Sequence, residues 1–421
     1  MTSASAARSL SARFPRALRL QRAGVVYALV IIVVCFQLLT VTKGLPAFLS
    51  VPGIRNVVDL SALDGILAIS MTVLLISGNF DLSVGATAGL AGAVGMHVAN
   101  AHGSGLGTLA AIGIGIGIGV VNGVLVQVVG VNAFIVTLGT LTAVQGLLLI
   151  ITNGNTVLAK SGAFGSIGTG TWHLILPVAV VAGTVLILYA IARATGLPRR
   201  QSSRKQVDGS VLTAGLLGLA VIVAALASPG LLSLTRPSWI MLLYMTAAAL
   251  VLRFTVVGRR LYAVGGNSEA SLLSGIGVAR YKISPFILTS VSASLVGLLY
   301  AGKFGAVEPT ALVNEELPVL AAAILGGTSL FGGSGYVVKS VVGALILAGL
   351  TTGFNVLNLG ANYQYLVQGM VIIAAAAVYT VAGRRRRAAT TAPEPVPATA
   401  SDEGAGADHA QPPTVTPRAG T

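Results

Sequence analysis

Apolar runs of similar length, separated by short polar breaks, set the pattern of this chain. The first covers residues 25–41 and carries no charge. Others follow at about 60–77, 82–101, 107–130, 133–152, 174–193, 210–228, 238–256, 283–301, 317–330, 336–358 and 364–382. Most approach the roughly 20 residues that an α-helix needs to cross the hydrocarbon core of a bilayer. The run 317–330 is short and ends in glycines, which predicts a half-helix or a re-entrant segment. The expected fold class is all-α: a polytopic membrane protein with 10–12 transmembrane helices.

Composition excludes a soluble globule. The 421 residues are 54% hydrophobic and 9% charged, with a mean hydropathy of +0.87; soluble domains carry about 25% charged residues. The net charge of +14 raises nucleic acid as a partner. The placement of the charges argues against it, because they gather beside the apolar runs as the positive-inside rule requires. Arg8, Arg13, Arg16, Arg19 and Arg22 precede the first run with no acid among them. Arg193, Arg199, Arg200, Arg204 and Lys205 form a second cluster, and Arg384, Arg385, Arg386 and Arg387 a third. With the N-terminus inside, all three fall on the cytoplasmic side. The opposite loops then hold only scattered cations, Lys43, Arg55, Lys160, Arg236 and Lys303. Both termini are therefore expected in the cytoplasm and the protein in the cell membrane. A signal peptide is a poor reading of 25–41, since its basic lead is long and no clear small-residue cleavage site follows. The domain plan is a basic cytoplasmic stretch at 1–24, a membrane domain at 25–382, and a tail at 383–421. The tail is rich in Ala, Pro and Thr, a composition that predicts disorder.

Little in the chain supports catalysis. Cys35 is the single cysteine, so neither an internal disulfide nor a cysteine-rich metal site can form. His97, His102, His173 and His409 show no metal-ligand spacing. No nucleophile–base arrangement stands out. The glycine-rich stretch 321–335 lacks the Lys-Ser/Thr ending of a phosphate-binding loop. The expectation is a protein that is not an enzyme and holds no cofactor of its own.

The longest polar break of the C-terminal half runs over residues 258–282, opened by Arg259 and Arg260 and closed by Arg280 and Lys282. Gly265 and Gly266 are expected to break the chain. Asn267 is placed as N-cap of a short helix over 268–274, with Glu269 in the first turn, where the helix dipole favours a negative charge. Gly275 supplies the stop. So short a helix is marginal alone in water. Its face of Ala270, Leu273 and Ile276 needs a surface, either the chain's own membrane domain or a separate docked protein.

This break resembles the cytoplasmic coupling loop of ABC-importer permeases of the ribose/xylose type. Gly265, Gly266, Asn267, Glu269, Ala270, Leu273, Ser274, Gly275 and Ile276 match that family's motif, while Ser271 and Leu272 depart from its usual Ala and Arg. Three further stretches resemble the same family in the same order. At 77–85, Gly78, Asp81, Leu82, Ser83, Val84 and Gly85 match, with Asn79 and Phe80 replacing the usual Gly and Ile. Asp81 is well placed to cap a helix starting at Leu82, and an acid at the edge of a bilayer core needs a definite partner. At 134–146 the segment with Thr137, Gly139 and Thr140 is similar, and Gln145 stands where the family often has Arg. Thr137, Thr140 and Thr142 either line a polar path or bond back to their own helix. At 325–335 the similarity includes Gly326, Gly327, Thr328, Gly332, Gly333 and Gly335. Gly115, Gly119 and Gly123 lie four apart, the spacing of close helix packing.

The resemblance covers most of residues 55–382, and the basic insertion at 194–235 is similar to the longer xylose-type members. It implies the permease subunit of an ATP-binding-cassette importer for a monosaccharide. It implies as partners a second permease copy (identical or not), a cytoplasmic ATPase below, and an extracytoplasmic sugar-binding protein above. Glu308, Glu315 and Glu316 form the main acidic patch of the outer loops. They either meet the binding protein or are solvated; Pro318 stands where the family usually has Asp. The alternative is a stand-alone secondary transporter or facilitator. Such proteins use intramembrane acids or bases, and here Asp64 is the only acid inside a run.

Overall fold

The computed structural model describes residues 20–160, 164–172, 233–360, 362–364, 366–371 and 373. The expected spans 174–193 and 210–228, most of 364–382, the start of the chain and the tail lie outside these residues. The described chain is helical, with one two-stranded ribbon.

In chain order the helices are α1 (Leu20–Thr42), α2 (Val51–Ile76), α3 (Val84–His102), α4 (Ser104–Val124), α5 (Ala133–Thr152), α6 (Gly165–Thr169), α7 (Arg236–Phe254), α8 (Val256–Gly266), α9 (Ser268–Leu273), α10 (Val278–Phe304), α11 (Glu316–Leu325) and α12 (Val337–Val356). A π-helical turn, Leu125–Val129, ends α4. The ribbon pairs β1 (Val157–Leu158) with β2 (Ala306–Val307), antiparallel. Seven described helices are long and apolar enough to cross a membrane. The predicted run 82–101 corresponds to α3, whose glycines, histidines and asparagine leave it outside those seven.

Helix ends follow local chemistry. Ser50 opens α2 by accepting the Gly53 amide at 3.2 Å, with proline in the first turn. The helix therefore starts at Val51, nine residues before the apolar run at 60. The charges of the added turns are placed rather than excluded: Asp59 accepts Thr235 Oγ1 at 2.8 Å and the hydroxyl of Ser238. From Ser61 to Ile76 nearly every residue of α2 is buried, and α7, α10, α11 and α12 pack around it.

The expected packing of the α4 glycines is present. A Cβ at Gly115 would stand 2.6 Å from Ser290 O, at Gly119 2.5 Å from Ile287 Cα, and at Gly123 3.0 Å from Ile283 Cγ2. All three partners are on α10, so α4 and α10 touch backbone to backbone.

The run 317–330 is a half-helix: α11 has ten residues, about 15 Å. The chain reaches it from the ribbon by descending along α3. Ala311 O faces Gly89 and Leu312 O faces Gly85. Asn100, near the far end of α3, holds Leu158 O at 2.8 Å and so marks the ribbon. Glu316 Oε2 lies beside Gly85, which is fifteen residues back along α3, or roughly 20 Å. Half-helix α11 thus begins deep in the bundle and runs to the end opposite the ribbon.

Candidate functional site

The end opposite the ribbon gathers the polar break after α7, the turn after α2 and the glycine-rich loop before α12. Thr255 caps α8, accepting the Gly258 amide at 3.2 Å. Gly265 and Gly266 do not break the chain as expected; they form the last turn of α8. The reason is contact. A Cβ at Gly265 would collide with Ile76 O, the terminal carbonyl of α2, and stand 2.8 Å from Gly333 N. Gly333 N in turn donates to Ile76 O at 2.9 Å. A Cβ at Gly332 would lie 2.5 Å from Gly265 O and 2.9 Å from Gly78 Cα. Tyr262 on α8 donates its hydroxyl to Gly335 O at 2.7 Å. Burial, with Tyr336 nearby, pushes that phenol up to about 12, so it remains a donor. Three separate glycine motifs therefore meet as bare backbone.

Next comes α9, over 268–273 as the caps predict. Asn267 accepts the Ala270 amide at 2.9 Å, and Glu269 is in the first turn. Ser274 ends the helix and bonds back to Ala270 O, and Gly275 follows at φ 77°, a conformation that favours glycine. The buried residue of α9 is Ser271, whose hydroxyl donates to Asn267 O at 2.8 Å. Ala270 is exposed, Ile276 is half-buried, and Leu273 is 85% exposed, with Leu272 at 63%. Among the described residues, the membrane domain therefore leaves the apolar side of α9 uncovered. Beside it lies an open cleft of about 570 Å³, walled by Glu269, Leu272, Arg280, Lys282 and Gln127 of the π turn.

A buried polar network sits at the same end. Asp81 is fully buried and accepts both the amide and the hydroxyl of Ser83, at 2.7 and 2.6 Å. It caps the turn ahead of α3 rather than a helix from Leu82, because α3 begins at Val84. Asn122 on α4 donates to Ser83 Oγ at 3.2 Å and to the second Asp81 oxygen at 3.5 Å. Thr140 on α5 donates to Asn122 Oδ1 at 2.6 Å. One carboxylate thus ties the start of α3 to α4 and α5. Of the other α5 hydroxyls, Thr142 bonds back to Leu138 O, while buried Thr137 finds no hydrogen-bond partner among the described residues.

The comparisons decide the family. The model of the family described as "Branched-chain amino acid transport system / permease component" matches residues 53–376. The chain belongs to this permease family. It is similar to the xylose transport system permease protein XylH of Escherichia coli (strain K12), 34% identical over 336 residues, 78% of this chain and 85% of that protein. It is 33% identical to the XylH protein of Haemophilus influenzae over 78% of this chain and 89% of that one. It is 30% identical to the ribose import permease protein RbsC of Escherichia coli (strain K12), over 78% of this chain and 86% of that protein. No solved structure matches. The protein is accordingly a multi-pass membrane permease component.

In this permease the remaining expected residues separate. Glycine at 85 leaves room for Leu312 O and the Glu316 carboxylate. Gly139 faces open space, with no atom near its Cβ position. Gly326 ends α11 with Ser340 N 2.6 Å from its Cβ position, Gly327 has φ 82°, and Thr328 is buried against Gly335. Of the three glutamates expected in one outer patch, Glu308 and Glu315 are both electrostatic neighbours of Tyr300 on α10. Glu308 is exposed beside the ribbon, whereas Glu315 and Glu316 are half-buried at the deep end of α11. Asn122, Ile76 and Tyr262 carry the site and escaped the sequence reading. Asn122 sits inside an apolar, glycine-rich run, and the contribution of Ile76 is a carbonyl that no sequence pattern marks.

Proposed function

We propose that this permease is the membrane-spanning subunit of an ATP-driven importer for a monosaccharide of pentose or hexose size. A separate binding protein delivers the sugar, a second permease copy completes the pore, and a cytoplasmic ATPase seats on α9. The observation that carries the reading is the exposure of Leu272 and Leu273 on a capped helix of six residues. Such a helix is too short to persist alone in water. It is held here by its caps and by Ser271, and the side left free is apolar. A partner protein is the surface that completes it, since the described part of the bundle does not. Sugar is favoured over a branched-chain amino acid because the relatives with 34% and 30% identity are named for xylose and ribose.

The test is co-purification with the proposed ATPase subunit. Leu273→Asp places a charge where an apolar contact is proposed. It should abolish co-purification and ATP-driven uptake while leaving permease yield unchanged. Wild-type association and uptake in Leu273→Asp would remove α9 as the seat.

A second reading, a stand-alone secondary transporter, has one observation in its favour. Asp64 on α2, Glu315 and Lys303 are electrostatic neighbours in the bundle, and ionisable groups within a membrane are the usual means of ion coupling. Uptake by the purified permease without any ATPase would select it.

A further inference from the structure

We infer that the α8–α9 segment passes its motion to α2 and to the glycine-rich loop at 326–336 through a backbone clamp. The set Tyr262, Gly265, Gly332 and Gly333 thereby acts as positioning residues for transport. The inference rests on the proposed ATPase seat and adds the route by which force leaves it.

The covalent route from α9 onward is compliant. It runs through Gly275 and Gly277 before α10 begins, and both have open space around their Cβ positions. The non-covalent route is stiff. Helices packed through side chains can take up a displacement by changing rotamers, and interiors otherwise transmit strain because they are close-packed. Where Gly265 meets Ile76 and Gly332, no side chain intervenes. Gly265 rests on Ile76 O, and Gly332 on Gly265 O and Gly78 Cα. Two hydrogen bonds fix the register, Gly333 N to Ile76 O at 2.9 Å and Tyr262 Oη to Gly335 O at 2.7 Å. A shift of α8 must therefore move the end of α2, the turn at Gly78 and the loop between α11 and α12.

Those are the elements that reach the interior. Helix α2 is buried over most of its length, and α11 carries the loop's movement to Glu316 and Gly85 deep in the bundle. Asp81, three residues beyond Gly78, then links the same turn to α4 and α5 through Asn122. The clamp thus joins the proposed seat to five helices of the bundle without passing through α10.

One glycine of the pair is a built-in control. A Cβ at Gly266 would meet nothing closer than Gly333 Cα at 4.0 Å, an ordinary contact, whereas a Cβ at Gly265 has no space. The experiment uses the full complex of permease, ATPase and sugar-loaded binding protein in proteoliposomes. It compares Gly265→Ala, Gly266→Ala and Tyr262→Phe for permease yield, ATPase co-purification, and stimulation of ATP hydrolysis by the loaded binding protein. Gly265→Ala and Tyr262→Phe are expected to keep the ATPase bound and lose stimulation, and Gly266→Ala to behave as wild type. Where Gly265→Ala is not produced, Tyr262→Phe decides, because it removes one hydroxyl and adds no bulk. Full stimulation in Tyr262→Phe, or equal loss in Gly265→Ala and Gly266→Ala, would overturn the clamp and leave the seat on α9 standing. Absence of ATPase binding in the wild type would overturn both.

Discussion

At the scale of single residues, Asp81 carries the clearest consequence. It holds two donors of Ser83 and is approached by Asn122, all fully buried. Removing the carboxylate leaves those donors unpaired in a dry site. Hydrogen bonds to charged groups contribute about 1.5–3 kcal/mol each, and stranded buried donors cost about 1–3 kcal/mol more. Asp81→Ala is therefore expected to destabilise the permease by about 3 kcal/mol or more, read as a fall in the thermal midpoint in detergent. A loss near 1 kcal/mol would mean a simple cap and would dismiss the network. Asn122→Ala should show the same kind of loss, because it strands Thr140 and Ser83 together. Sequence alone marked Asp81, Ser83 and Thr140 through residue type and motif. It could not mark Asn122, whose partners are 39 and 18 residues away.

At the scale of elements, caps and glycine spacing were legible, and contacts between glycines were not. The helix at 268–273 followed from Asn267, Glu269 and Gly275, since capping is local chemistry. The glycines of α4 announced close packing through their period of four. Gly265 and Gly266 misled because glycine is a common helix breaker; Gly265 admits Ile76 O and the loop at Gly333, and a residue without a side chain does not name its partner. Half-helix α11 was visible as a short run, whereas its depth was not, so Glu315 and Glu316 read as surface acids. Two substitutions test this scale. Gly119→Val should separate α4 from α10, because a Cβ there lies 2.5 Å from Ile287 Cα. Overpacking of this kind costs about 1–3 kcal/mol, and an unchanged thermal midpoint would contradict the packing. Asn267→Ala removes the cap of α9 at a cost of about 1 kcal/mol. For a helix of six residues that is enough to shift it toward coil, so ATPase co-purification should weaken without loss of the bundle. Unweakened co-purification would show that α9 need not be helical to dock.

At the scale of the whole molecule, hydropathy located the described membrane helices because each must satisfy its own backbone in lipid. It misjudged ends where polar residues find partners, as at the start of α2, where Asp59 is taken up by Thr235 and Ser238. Four motifs, distant in sequence, reduce in space to one end of the bundle and a descent into its middle. That arrangement suits a protein worked from outside itself: a proposed seat at α9, a proposed clamp, and a buried network leading inward. The central claim is that transport draws on a separate ATPase. The direct measurement is uptake of radiolabelled xylose and ribose into proteoliposomes holding the permease. Each sugar is tried with and without the ATPase, ATP and the loaded binding protein. Uptake of at least one sugar is expected only when all three are present, and none along a proton or sodium gradient with the permease alone. Gradient-driven uptake by the permease alone, unaltered by adding ATPase and ATP, would contradict the central claim.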